Sequence, residues 1–134
     1  MRQAKRLTTK KKRDYPRNRM HEVSIALSLL KIAEEYCKKE GYRGIESIIV
    51  KIGKASGVMP EALVFAFDSV KINTLAENAR LIIDEIPVSG FCNNCKNKFS
   101  VNEAFVLCCP RCGDTSIRIE TGRELDIHEM EVFQ

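Results

Sequence analysis

FCNNCKNKFSVNEAFVLCCPRCGD, residues 91–114, decides how this chain folds. It holds two Cys-x-x-Cys pairs, Cys92–Cys95 and Cys109–Cys112, separated by the thirteen residues Lys96 to Cys108. Each pair makes a tight turn whose two thiolates converge on one ion, and the connecting loop returns the second pair to face the first. Four thiolates complete a tetrahedron and leave no position for water, so the spacing predicts a structural Zn(II) site rather than zinc hydrolysis. The competing redox reading of Cys-x-x-Cys loses ground because the motif is doubled, with Pro110 and Gly113 shaping the second knuckle. Cys108 neighbours Cys109 and is read as non-ligating, since Cys109–Cys112 keeps the knuckle spacing. Phe91, Phe99 and Phe105 are expected to pack beside the metal.

Outward from this module, Met20–Glu40 has a helical period, with Val23, Ala26, Leu27, Leu30, Ala33 and Cys37 inward and Gly41 as its stop. Cys37 is expected to be core. Ile45–Gly53 alternates as a strand, Ile48, Val50 and Ile52 on one face. Pro60 suits the first position of a second helix running to about residue 73, with Leu63, Ala66, Phe67 and Val70 inward. Arg80–Pro87 reads as another strand, and Leu125, Ile127, Met130 and Val132 mark a closing strand whose phase slips at Ile127-His128, as a bulge would cause. The predicted fold is α+β: a three-stranded sheet with two helices, plus an inserted four-cysteine zinc-ribbon module. The predicted domains are a basic extension, 1–19; an α/β domain, 20–90 and 121–134; and the ribbon, 91–120.

The formal net charge of +4 is unevenly spread. Residues 1–19 hold nine Lys/Arg against one Asp, so the remainder carries thirteen basic and seventeen acidic residues. The acidic body argues against nucleic acid as a partner, and the extension, self-repelling and poor in apolar residues, is expected to be disordered or to reflect an upstream start codon. No apolar run is long enough to span a bilayer, and six cysteines without a secretory signal point to a reducing, cytoplasmic setting. There is no nucleophile–base pair, phosphate-binding Gly loop or open zinc position, so an enzyme is not expected.

Met20-His21-Glu22 opens the first helix. Read from the residues alone, Glu22 favours the helix dipole and His21 is more readily a surface or capping residue than a ligand. His128, in the closing strand, is read as an exposed strand histidine. In combination, however, Met20-His21-Glu22, the two Cys-x-x-Cys pairs with Gly113, and Gly122-Arg123-Glu124-Leu125 before the closing strand resemble the HypA/HybF family of nickel metallochaperones. The resemblance covers Met20 to Gln134. It implies Zn(II) at Cys92, Cys95, Cys109 and Cys112, and transferable Ni(II) at His21, with Glu22 assisting through its carboxylate or backbone nitrogen. It also implies two partners, the GTPase HypB and the precursor of the large subunit of nickel–iron hydrogenase, with urease accessory proteins as further clients.

Ni(II) accepts square-planar nitrogen ligands, and an amine, a deprotonated amide and an imidazole close adjacent chelate rings around it. Family members begin at the methionine of Met-His-Glu, whereas nineteen residues precede Met20 here. Either Met20 is the start, or the ion is bound without a free amine, through the Met20 peptide nitrogen or octahedrally with His21, Glu22 and waters. The rival readings are a nucleic-acid-binding ribbon protein using the basic extension and a zinc-held adaptor with no transferable metal. An exposed edge strand would permit a homodimer.

Overall fold

Glu22–Glu40 forms the first helix, α1, in a computed structural model that describes residues 2–6 and 22–133. Glu22 lies in its first turn and Lys38 and Lys39 in its last, each complementing the helix dipole. Gly41 ends it at φ 76°, letting the Tyr42 amide turn back to the Cys37 carbonyl at 2.9 Å. This 6→1 bond satisfies a carbonyl that the helix end would otherwise leave orphaned. The buried stripe is Ile25, Ala26, Leu29, Leu30, Ala33 and Cys37. Val23 and Leu27, predicted inward, are 51% and 50% exposed. The first turns of α1 are apolar on both flanks, so periodicity cannot choose between them, and packing selects Ile25 and Leu29.

Strand β2, Gly44–Gly53, buries Ile48, Val50 and Ile52 as its alternation requires. Helix α2, Pro60–Val70, starts with proline at its first position and ends three residues before the predicted stop. Leu63, Ala66 and Phe67 are buried, Val70 is half-buried, and α2 packs against α1. Past its end, the Lys71 ammonium donates to the Ala79 carbonyl at 2.8 Å, pairs with Asp68 at 2.9 Å and lies 5.9 Å from the centre of the Phe67 ring. Strand β3 is Arg80–Ile86.

Strands β4, Val88–Cys92, β5, Lys98–Val101, and β6, Ile117–Thr121, form a second sheet in the order β5-β4-β6. The last strand, β7, is Leu125–Phe133. Its buried residues are Ile127, Met130 and Val132. The interval of three between the first two is the phase slip that the sequence carries at Ile127-His128.

The larger sheet has four strands rather than three. The three predicted ones are β2, β3 and β7; the fourth, β1, is Arg2–Arg6 of the basic extension, antiparallel to β7 at its outer edge in the order β1-β7-β2-β3. Over these five residues the expectation of disorder is corrected: an open strand edge offers the backbone a ladder that a solvated tail lacks. The rest of the extension lies outside the described residues.

The chain divides into two units, residues 1–50, 58–83 and 126–134, and residues 51–57 with 84–125. The second is wider than the predicted ribbon, 91–120, because it begins before β4 and takes in the end of β2. There the Lys54 amide donates to the Ile86 carbonyl at 2.9 Å, and the Gly53 amide to the Glu124 carbonyl at 2.8 Å. Gly53 and Gly122 approach so closely that a Cβ on Gly53 would lie 2.0 Å from the Gly122 carbonyl carbon. Gly122 itself holds φ 119°, and a Cβ there would meet Val88 at 2.9 Å. The Glu124 carboxylate accepts the Gly122 amide at 2.7 Å. Gly122-Arg123-Glu124-Leu125 is thus a structural clasp at the foot of the ribbon.

Candidate metal centre

Cys92 ends β4, and its carbonyl accepts the Lys96 amide at 2.9 Å; Cys109 repeats the arrangement with Gly113, also at 2.9 Å. The second bond of each knuckle repeats as well: the Cys92 amide donates to the Asn97 carbonyl at 3.0 Å, and the Cys109 amide to the Asp114 carbonyl at 2.8 Å. Both turns close through a left-handed residue just after the second cysteine, Lys96 at φ 59° and Gly113 at φ 78°. The two pairs are therefore the same knuckle built twice. Glycine takes that conformation freely, and Lys96 takes it at a cost of order 1 kcal/mol.

The knuckles face each other. All four sulfurs lie within 4.8 Å of one another, with Cys92 and Cys112 at 3.6 Å and Cys95 and Cys109 at 3.7 Å. Tetrahedral Zn–S bonds of about 2.3 Å would set sulfurs about 3.8 Å apart, so the donor set fits that ion in number, softness and spacing. Backbone amides also point at the sulfurs, from Cys95 to Cys92 at 3.5 Å and from Arg111 to Cys109 at 3.4 Å. Such donors favour thiolate over thiol.

Four thiols this close cannot ionise independently, and their affinities for protons spread apart. The Cys112 thiol is lowered to about 6, chiefly by the Asp114 amide and then by the Asn94 side chain. Cys95 is lowered, foremost by the Asn97 side chain. At Cys92 the Cys95 amide favours the thiolate, but burial and the hydrogen bonds from Cys112 and Cys95 prevail and push it up to about 11. Protons must leave as a cation enters.

Cys92 and Cys109 are buried, Cys95 is half-buried and Cys112 exposed. Phe99 is buried and Phe91 half-buried under the Arg118 guanidinium, 5.3 Å from the ring centre. Phe105 does not join them: it is 69% exposed on the loop before Cys109. Cys108 is exposed and outside the cluster. Gly90 sits where a Cβ would lie 2.2 Å from the Arg118 carbonyl oxygen, which explains glycine in the middle of β4. Asn94, Asn97 and Asp114 went unmarked in the sequence; their signal is a polar residue inside or just after each Cys-x-x-Cys.

Met20 and His21 lie outside the described residues. Glu22 is half-buried at the start of α1, and its carboxylate accepts the Met59 amide at 3.4 Å. Met59 precedes α2 and has no side-chain cap of its own. Glu22 therefore supplies from α1 what α2 lacks, over a long and weak bond. Cys37 is buried in the core, where desolvation, then Glu34, raises its pKa. His128 is half-buried in β7 rather than exposed. Among the described residues no helix is long and apolar enough to cross a membrane.

Residues 20–132 match the family model described as "Hydrogenase/urease nickel incorporation, metallochaperone, hypA". The hydrogenase maturation factor HypA of Geobacter sulfurreducens is 43% identical over 113 residues, which are 84% of this chain and 99% of that one. The protein of the same name from a Roseiflexus species is 38% identical over 84% of this chain and 91% of its own. Among solved structures, that of the Ni metallochaperone HypA from Helicobacter pylori superposes with a TM-score of 0.61 at 30% identity, over 85% of this chain and 98% of that one. A solution structure of another HypA protein gives 0.64 at 28% identity, over 87% and 98%.

Proposed function

The chain belongs to the HypA family of hydrogenase maturation factors and nickel metallochaperones, and on that premise we propose that it binds one Ni(II) at His21 and surrenders it during maturation of nickel–iron hydrogenase. The observation that carries this reading is that the family match begins at residue 20, where Met20-His21-Glu22 starts, and runs through all four cysteines. The chain is a carrier rather than a catalyst, and its setting is the cytoplasm. Its partners are the GTPase HypB and the precursor of the hydrogenase large subunit, with urease accessory proteins as a second client.

Zinc is the resident ion, held by Cys92, Cys95, Cys109 and Cys112. It supplies a closed tetrahedral cross-link to β4, β5 and β6, three strands that bury little besides Val88, Cys92 and Phe99. Nickel is cargo and belongs elsewhere. A borderline cation that favours imidazole and amide nitrogen suits Met20-His21-Glu22. The Glu22 carboxylate is already turned to the Met59 amide, which supports ligation through the Glu22 backbone nitrogen over ligation through its side chain.

The test is a Ni(II) titration with zinc counted in parallel, on the full chain and on His21→Ala. Loss of the nickel equivalent with zinc retained supports the carrier reading. Unchanged nickel binding in His21→Ala sinks it and favours a zinc-held adaptor. Comparing Glu22→Gln with Glu22→Ala separates the two Glu22 roles: with backbone ligation both variants retain nickel.

A further inference from the structure

The basic extension pairs with an acidic strand. Residues 1–19 carry nine Lys/Arg, three of them within Arg2–Arg6, while the rest of the chain has an acidic excess. Strand β7, on which Arg2–Arg6 docks, carries Asp126, Glu129 and Glu131 and no Lys or Arg. The register runs from Arg2 opposite Phe133 to Arg6 opposite Glu129. Without β1, β7 would be the outer strand of its sheet, with a row of unpaired backbone groups. Its acidity disfavours pairing with the β7 of a second copy, since like charges oppose each other across a ladder, and favours a cationic strand. Arg2–Arg6 also lies outside the segment that matches the family, residues 20–132. The docked strand is thus an addition to the family fold.

We propose that the outer edge of β7 is a docking surface for a basic extended segment, and that Arg2–Arg6 is its intramolecular occupant. Main-chain ladder bonds provide the affinity and opposite net charge the selectivity, the pattern of strand addition to a sheet edge. Held by only five residue pairs and by charge, the contact is reversible and weakens with salt.

Amide hydrogen exchange tests this on the full chain and on a form starting at Met20. An antiparallel strand sends alternate amides to each neighbour. Removing β1 is therefore expected to speed exchange about tenfold or more at every second amide of Glu129–Phe133, while the intervening amides, turned to β2, stay protected. A synthetic peptide of residues 1–13, added to the Met20 form, is expected to restore that alternate protection at about 50 mM salt and lose most of the effect at about 500 mM. In the full chain, Gln3→Pro and Ala4→Pro remove adjacent N–H groups, one of which must face β7, so one of the two reproduces the deletion. Identical exchange in the full chain and the Met20 form overturns the proposal. So does a peptide of residues 1–13 with every Lys and Arg replaced by Gln that protects equally well at about 50 mM salt, since opposite charge would then contribute no selectivity.

Discussion

Lys96 and Gly113 occupy the same left-handed position in two copies of one knuckle, yet only one is glycine. The account predicts opposite responses. Gly113→Val should destabilise the zinc-loaded ribbon by about 1–2 kcal/mol, whereas Lys96→Gly should be neutral or stabilising by up to about 1 kcal/mol. Thermal melts of the metal-loaded variants check this, and equal losses at both positions would contradict the repeat. Proton bookkeeping at the same sulfurs gives a second prediction. With Cys112 at about 6 and Cys92 at about 11, zinc entering at pH 7 meets Cys112 already ionised and Cys92 protonated. As pH falls through 6, Cys112 gains its proton, each zinc displaces one more, and affinity declines more steeply with acid. Calorimetry in buffers of different ionisation enthalpy reads the count; a release that stays constant from pH 8 to pH 5 would contradict it. The clustering of the four sulfurs is legible because thiol spacing is a local property. The residues that tune them are not, since Asn94 and Asp114 act through the fold of the turn.

At the scale of elements, α1 shows where periodicity stops. Ala26, Leu30, Ala33 and Cys37 follow from spacing alone, but Ile25 and Leu29 compete with Val23 and Leu27 for the flanks, and only tertiary neighbours decide. Leu29→Ala should therefore cost about 2–5 kcal/mol and Leu27→Ala less than about 1 kcal/mol by chemical denaturation; a larger loss at Leu27 would restore the other flank. The clasp of Gly53 and Gly122 is a long-range device. Two glycines far apart in sequence carry no mark of meeting, although the Gly122-Arg123-Glu124-Leu125 segment is prominent in the resemblance. Gly53→Ala puts a methyl into backbone with nothing flexible to yield, so a loss above about 3 kcal/mol or failure to fold is expected. A stable, zinc-loaded Gly53→Ala protein would show that the strands can separate there.

For the molecule as a whole, the proposed labour is divided between two metal sites of opposite character. A closed set of four thiolates suits an ion that stays, and an imidazole beside ionisable amides suits an ion that leaves. The element order, two helices among three strands with a ribbon inserted before the last, was readable from periodicity, Pro60 and Gly41. The fourth strand was not, because Arg2–Arg6 has no apolar alternation and is ordered only by the edge that receives it. Chelation of zinc should unfold the unit of residues 51–57 with 84–125, where the metal replaces a core, and leave the buried stripes of α1 and α2 intact. Loss of ribbon amide protection with α1 protection retained is the expected exchange pattern. The measurement that bears most directly on the division is nickel and zinc stoichiometry in the full chain, His21→Ala and Cys112→Ala. The account predicts nickel lost and zinc kept in His21→Ala, and zinc weakened with nickel still bound in Cys112→Ala. Nickel that survives His21→Ala but disappears with Cys112 would place the cargo on the thiolates and contradict it.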